Sequence, residues 1–359
     1  MANIMVNEAC NLCCPYCFAG EFVNRDPQEM TLGDFRMALD FVLGDRIERQ
    51  VGIIGGEPLL YTHIDEALAI ALDDPRSDPV MLYTNAVELD RLAPEILESS
   101  KFRLLVNCNS PEDMGGAAFE RMRQNLLRFR DAHFGEGRFR LSVNIYKPDF
   151  DYSYVVPLVQ EMGFDVIRLS VSVPQNGLPE GTDPLGYFRL MKPVAMRFVG
   201  DMLRCGVITG FDCNFLPGCV LTQEEHDGVL RAKEVFYSAL SRKYSRVFWQ
   251  RAILCELNNC TPVIDILPGL QAIRCFGLSE HTKRDIRDFK GIGDLRRHYV
   301  NTVDRPACAV STSGECGDCY NRESGECSCG CLLFKAGALF GEEAVREAWQ
   351  AGRGDSFRI

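Results

Sequence analysis

Along the first 170 residues, short apolar or β-branched runs alternate with stretches in which apolar residues recur every three or four positions. The runs predict strands at 2–9, 50–56, 80–86, 103–109, 140–146 and 166–173, and the intervening periodicity predicts helices at 31–43, 63–73, 88–99, 116–133 and 151–162. In the first helix Leu32, Phe35, Leu39 and Val42 share one face, and Thr31 with Asp34 has capping-box spacing. A further helix at 185–204 contains Pro193, where a kink is expected. Strand and helix alternating six times in series predict a parallel sheet with helices outside it, naturally an open (β/α)6 partial barrel over residues 1–205. In such folds the reactive site lies in the loops at the carboxyl ends of the strands.

After residue 205 this rhythm stops. A connecting segment (206–254) holds a cysteine-bearing loop at 213–219 and a helical stretch at 222–243. The Gly- and Cys-rich region 255–335 lacks a strong apolar core of its own, so metal staples would have to stabilise it. Residues 336–359 complete the chain with a helix near 342–351 and a tail. No repeat or low-complexity linker appears.

Length and charge narrow the function. At 359 residues the chain has room for about two domains at roughly 150 residues each. A formal net charge of −11 argues against phosphate-backbone binding, so no nucleic-acid partner is expected. No apolar run reaches the ~18 residues needed to cross a bilayer and no signal peptide is evident, which predicts a cytoplasmic protein without a membrane partner. The anomaly is the 17 cysteines, which are clustered rather than spread as a secreted disulfide framework. Metal binding is the leading reading of the clusters, whereas isolated thiols such as Cys108 and Cys205 read as small buried hydrophobes. The five histidines share no metal-ligand spacing, and the "RGD" at 353–355 is read as chance.

The first cluster is "CNLCCPYCF", in the loop after the first strand. Cys10, Cys14 and Cys17 form C-x-x-x-C-x-x-C, and three thiolates on one loop can hold three irons of a four-iron cluster while leaving the fourth open to a small chelate. Structural zinc is the competing reading of closely spaced cysteines. "GGEP" (55–58) ends the second strand and converges on the same mouth, its glycines permitting close backbone approach and Glu57 offering a carboxylate to an ammonium.

Together these stretches resemble the radical S-adenosylmethionine (SAM) enzymes, including Asn-Leu after the first cysteine and Tyr-Cys-Phe at the end. The resemblance implies a SAM-binding 4Fe-4S cluster on Cys10, Cys14 and Cys17, with Cys13 a spare thiol. It further implies electron transfer into SAM and cleavage to a 5′-deoxyadenosyl radical. It assigns the SAM amino group to Gly55, Gly56 and Glu57. "YTNA" resembles the family's Thr-Asn-Gly segment, giving Thr84 and Asn85 a cofactor role with Ala86 in place of Gly. Asn109 in "NCNS" falls near the SAM ribose, and Phe18 places its backbone against adenine. Polar capping of strand ends is the plain alternative for these positions.

The later cysteines resemble the SPASM extension of the same enzymes, in which two auxiliary 4Fe-4S clusters are built. By that likeness Cys255, Cys260, Cys275 and Cys331 hold one cluster and Cys316, Cys319 and Cys327 hold the other. Cys308 and Cys329 are candidates for the latter's missing fourth ligand. Cys213 and Cys219 have three readings: a contribution to the first auxiliary site, thiol hydrogen-atom donors at the mouth, or buried structure.

The function expected from this family is hydrogen-atom abstraction from a peptide, giving a crosslinked or oxidised residue in ribosomal peptide maturation. Formylglycine-type sulfatase maturation, peptide epimerisation and polyol dehydrogenation are the alternatives within enzymes. A noncatalytic iron-sulfur or zinc scaffold is the alternative outside them. Expected partners are a peptide substrate and an electron donor such as a flavodoxin or ferredoxin. Because the cluster loop begins at residue 10, a leader-binding domain ahead of it is not expected, and recognition falls to a separate leader-binding protein or to the barrel itself.

Overall fold

The computed structural model describes residues 2–133, 138–174, 178–211, 216–229, 231, 263–324, 327 and 330–341. In chain order its strands and principal helices begin with β1 (Ala2–Met5), α1 (Leu32–Leu43), β2 (Val51–Ile54), α2 (Ile64–Asp73), β3 (Val80–Thr84) and α3 (Pro94–Glu98). There follow β4 (Phe102–Asn107), α4 (Pro111–Met114), α5 (Gly116–His133), β5 (Phe139–Ile145), α6 (Val155–Met162), β6 (Val166–Val171), α7 (Pro184–Arg204) and β7 (Ile208–Phe211). The series closes with β8 (Ile264–Leu267), β9 (Gln271–Ile273), β10 (Arg284–Asp285) and α8 (Ile292–Tyr299). All six strands expected from the apolar pattern form, in a mixed α/β fold with a parallel sheet.

The chain divides into two units, Met1–Ser142 with Pro262–Tyr299, and Val143–Thr261 with Val300–Ile359. In the first, β1 pairs in parallel with β2 (Ala2↔Val51), and parallel pairing continues through β3 and β4 to the start of β5. β1 and β2 are buried at every position, as a parallel strand covered on both faces must be. α1 buries Phe35, Ala38, Leu39, Val42 and Leu43, and Thr31 caps it by accepting the Asp34 N–H at 3.0 Å.

Residues 262–299 differ from the expectation of a core-poor region. β8 pairs in parallel with the free edge of β1 (Ala2↔Ile264), and β9 and β10 extend the sheet antiparallel. This pairing gives Ile264, Ile266, Ala272, Ile273, Phe276 and Leu295 a place in the first unit's core. Within the interior, Asn3 Nδ2 donates to Asp265 Oδ1 at 2.7 Å. Burial pushes Asp265 up to about 6, against the lowering effects of Asn3 and Arg274. A polar pair on facing strands penalises a slipped register, which would bury each group alone.

In the second unit β6 pairs in parallel with β7 (Val166↔Ile208), a strand the apolar pattern did not suggest. α7 runs continuously through Pro193, and Asp183 caps it by accepting the Gly186 N–H. The described part of the stretch expected to be helical at 222–243 begins its helix at Gln223. The helix expected at 342–351 lies outside the described residues.

Candidate active site

β1 ends at Met5, and the cysteine loop begins at Cys10, three residues after Asn7. The loop is closed at its base by Asn24, which adopts a left-handed conformation (φ 58°) that asparagine tolerates better than most residues. Asn24 Oδ1 accepts the Cys10 N–H at 2.9 Å, its Nδ2 donates to Cys10 O at 3.0 Å, and its own N–H bonds Glu8 O. Inside the loop Cys17 N–H reaches Cys14 O at 3.1 Å, a tight turn between two of the expected ligands. Cys10, Cys14 and Cys17 are half-buried, whereas Cys13 is exposed.

Burial raises these groups first, followed by Glu57 and the neighbouring thiols for Cys10, to about 11, and by the neighbouring thiols for Cys14, to about 12. Two hydrogen bonds oppose the shift, from the Leu12 N–H to Cys10 Sγ at 3.4 Å and from Asn109 Nδ2 to Cys14 Sγ at 3.0 Å. Among the described residues, no group of three or more His, Cys, Asp or Glu side chains is gathered tightly enough to hold a metal ion. The donor set nevertheless fits an iron-sulfur cluster: three soft thiols on one loop, mutually coupled, that binding would deprotonate.

The GGE loop lies directly against this one. Gly56 N–H bonds Asn7 O at 2.9 Å and Glu57 N–H bonds Ala9 O at 2.7 Å. A Cβ on Gly55 would fall 2.1 Å from Asn7 Oδ1, and one on Gly56 would fall 2.4 Å from Ala9 O. The close approach that these glycines allow is therefore to the chain's own first loop. Asn7 spends both amide hydrogens, on Glu57 O and Ala9 O, while its Oδ1 is buried without a partner.

Glu57 is buried, and its carboxylate is already occupied. Oε1 accepts from Thr84 Oγ1 at 2.5 Å and Leu59 N–H at 3.1 Å, and Oε2 accepts from Asn85 N–H at 2.8 Å. Burial pushes it up to about 7 despite those three bonds. Asn85 in turn donates its side chain to Asn11 Oδ1 at 2.7 Å, tying the end of β3 to the cysteine loop. Ala86 sits at φ 60°, the left-handed conformation that a glycine takes without strain. Asn109, after β4, is buried and also accepts from Tyr16 Oη. Phe18 is exposed and packs edge-on against Phe276, ring centroids 4.9 Å apart.

The first unit thus brings Cys10, Cys14, Cys17, Gly55, Gly56, Glu57, Thr84, Asn85 and Asn109 to the carboxyl ends of β1–β4. Asn11 and Tyr16, quoted above only as part of the resemblance, join them, as do Asn7 and Asn24, which were not singled out and whose one legible signal was asparagine recurring near a strand end. Cys275 lies in the first unit, before the Phe276–Leu278 turn. Cys219, Cys308, Cys316, Cys319, Cys327 and Cys331 lie in the second, and Cys213, Cys255, Cys260 and Cys329 lie outside the described residues. Among the described residues, no helix is long and apolar enough to cross a membrane.

Residues 4–148 match the Radical SAM superfamily. The chain is similar to GTP 3′,8-cyclase of Chlorobaculum tepidum, 34% identical over 97 residues that cover 27% of this chain and 29% of that one. It is also similar to the same enzyme of Corynebacterium glutamicum strain R, 24% identical over 44% of each chain. The chain therefore spans less than half the length of these curated relatives. Among solved structures it resembles SuiB of Streptococcus suis bound to S-adenosylmethionine, with a TM-score of 0.60, 17% identity, and coverage of 92% of this chain and 72% of that one. It likewise resembles anSMEcpe with bound AdoMet and a Cp18Cys peptide, with a TM-score of 0.59, 14% identity and 98% coverage of both chains.

Proposed function

From a chain whose residues 4–148 form a radical SAM domain, we propose an enzyme that abstracts a hydrogen atom from a peptide and yields a crosslinked or oxidised residue. The observation that carries this reading is the extent of the fold similarity. Two solved chains that share the fold over 92% and 98% of this one are described with a bound precursor peptide, SuiA, and a bound Cp18Cys peptide. The net charge of −11 points the same way, since it favours a substrate bearing Lys or Arg over a polyphosphate.

In this reading Cys10, Cys14 and Cys17 hold the cluster, and the backbone of Gly55–Gly56 meets the SAM amino group. Glu57 braces that loop from below, because its carboxylate is bonded to Thr84, Asn85 and Leu59. When bound, the cluster and SAM supply the electron and the 5′-deoxyadenosyl radical that begin the reaction. Asn24 and Asn109 hold the cluster loop in place, and Phe18 offers an exposed apolar face beside it. Two auxiliary clusters on the later cysteines are part of the proposal, so the reconstituted chain should hold about twelve irons.

The similarity to GTP 3′,8-cyclases supports a second reading, cyclisation of a nucleotide. Anaerobic turnover with SAM and reductant, followed by mass spectrometry, separates the two. A neighbouring encoded peptide that loses two hydrogens supports the first, whereas a cyclised GTP product with unchanged peptides refutes it. Under the same conditions Cys10→Ala, Cys14→Ala and Cys17→Ala should each abolish SAM cleavage, and Cys13→Ala should not. Loss of cleavage on changing Cys13 but not Cys14 would overturn the ligand assignment.

A further inference from the structure

The resemblance gives one auxiliary cluster three cysteines, Cys316, Cys319 and Cys327, all in the second unit, and leaves its fourth ligand open. We infer that Cys219 is the fourth ligand of that site, held beside the other three by helix α7. The inference rests on the auxiliary clusters of the proposed function and deepens that reading.

α7 acts as a common platform. Near its start Asp183 Oδ2 accepts from Ser313 Oγ at 2.5 Å, and Arg189 grips Glu315 with both guanidinium nitrogens, at 2.6 and 2.7 Å. Ser313 in turn caps the short turn Gly314–Cys316, so these bonds fix where Cys316 stands. One helical turn further on, Lys192 Nζ bonds Glu225 Oε2 at 3.1 Å, and that carboxylate also accepts the Thr222 N–H at 2.7 Å. Arg189 and Lys192 are three residues apart and therefore neighbours on one helix face. The segment carrying Cys316 and the segment running back to Cys219 are thus pinned side by side. The turn Gly218–Val220, which carries Cys219, packs against α7 itself.

The other two ligands follow from Cys316. Arg322 donates to Cys316 O at 3.2 Å and to Ala309 O at 2.9 Å, and the turn it belongs to starts at Cys319. Cys327 N–H closes back on Asn321 O at 2.8 Å. Cys219 is exposed, on a turn that α7 supports, so its thiol is not sealed in the core. Of the two rival candidates, Cys329 lies outside the described residues, and Cys308 donates its thiol to Asp304 O at 3.3 Å within its own helical turn. Four thiolates complete a four-iron cluster, so this set leaves no open iron at the site.

The test is reconstitution of the full chain under anaerobic conditions, with iron and sulfide counted and EPR recorded after reduction. Cys316→Ala, Cys219→Ala, the double variant and Cys308→Ala are compared with the parent, and far-UV CD reports their folding. Cys219→Ala should lose about four irons, or convert one cluster to a three-iron form, just as Cys316→Ala does. The double variant should lose no more than either single one, and Cys308→Ala should keep the full count. An unchanged count and spectrum in Cys219→Ala, with loss in Cys316→Ala, overturns the inference and leaves the auxiliary clusters standing. A double variant that loses twice as much places Cys219 on a different cluster and also overturns it. Iron unchanged in both single variants removes the auxiliary cluster itself, and the inference with it.

Discussion

Gly56→Ala tests whether the GGE glycines serve the chain's own packing. An added Cβ at Gly56 would lie 2.4 Å from Ala9 O, 2.7 Å from Ala9 C and 2.9 Å from Glu8 O. All three are backbone atoms, so no side-chain rotation relieves the contact. Admitting the methyl requires the two loops to part by on the order of 1 Å, which strains the Gly56 N–H to Asn7 O and Glu57 N–H to Ala9 O bonds. Overpacking of this kind costs about 1–3 kcal/mol, and each strained bond adds about 1 kcal/mol. A loss of about 3–5 kcal/mol is therefore expected in the absence of SAM, read as a lowered urea midpoint by far-UV CD. Gly55→Ala should follow, because its Cβ meets the buried Asn7 side chain, whose amide hydrogens are both bonded. A Gly56→Ala protein that keeps its midpoint within about 0.5 kcal/mol while losing SAM affinity would refute the reasoning and return the glycine to the ligand.

Two other outcomes follow from the same loops. Glu57 is raised from 4.5 to about 7 in the folded chain, so the folded state holds a proton that the unfolded state releases, and stability should fall as pH rises from about 4.5 through about 7. Its share is roughly 3 kcal/mol. Glu57→Gln should flatten that part of the curve in urea melts at pH 5 and pH 7.5, and an unchanged slope would count against the shift. Asn109→Ala removes the N–H donated to Cys14 Sγ, a bond that in the proposed cluster would stabilise the more negative, reduced state. Taking a hydrogen bond to a charged group at about 1.5 kcal/mol, the potential of the SAM-site cluster should become more negative by tens of millivolts. Iron content should be unchanged, and a potential identical to the parent would show that the bond does not survive cluster binding.

Local pattern was enough for much of this molecule. Strands β1–β6 and the capped helix α1 are written in apolar runs, 3.6-residue periodicity and a threonine three residues before an aspartate, all of which act between near neighbours in sequence. The cysteine loop was equally legible, since its four thiols fall within eight residues and no distant contact is needed to group them. What the chain order concealed was pairing at long range. β8 lies beside β1 although Ile264 and Ala2 stand far apart in sequence, and only that pairing buries the apolar residues of 262–299. A hairpin signal was present there, in the Pro-Gly between two apolar runs, with Gly269 at φ 78°, but the neighbouring cysteines drew the reading toward metal ligands. The asparagines show the same division. Asn24 braces the cysteine loop by a contact within that loop, whereas Asn85 and Asn109, which the resemblance set at the cofactor, reach the loop because the parallel sheet brings the ends of β1, β3 and β4 to one mouth. The place of Cys219 also depends on tertiary structure, because two side chains one turn apart on α7 bring together segments that the sequence separates.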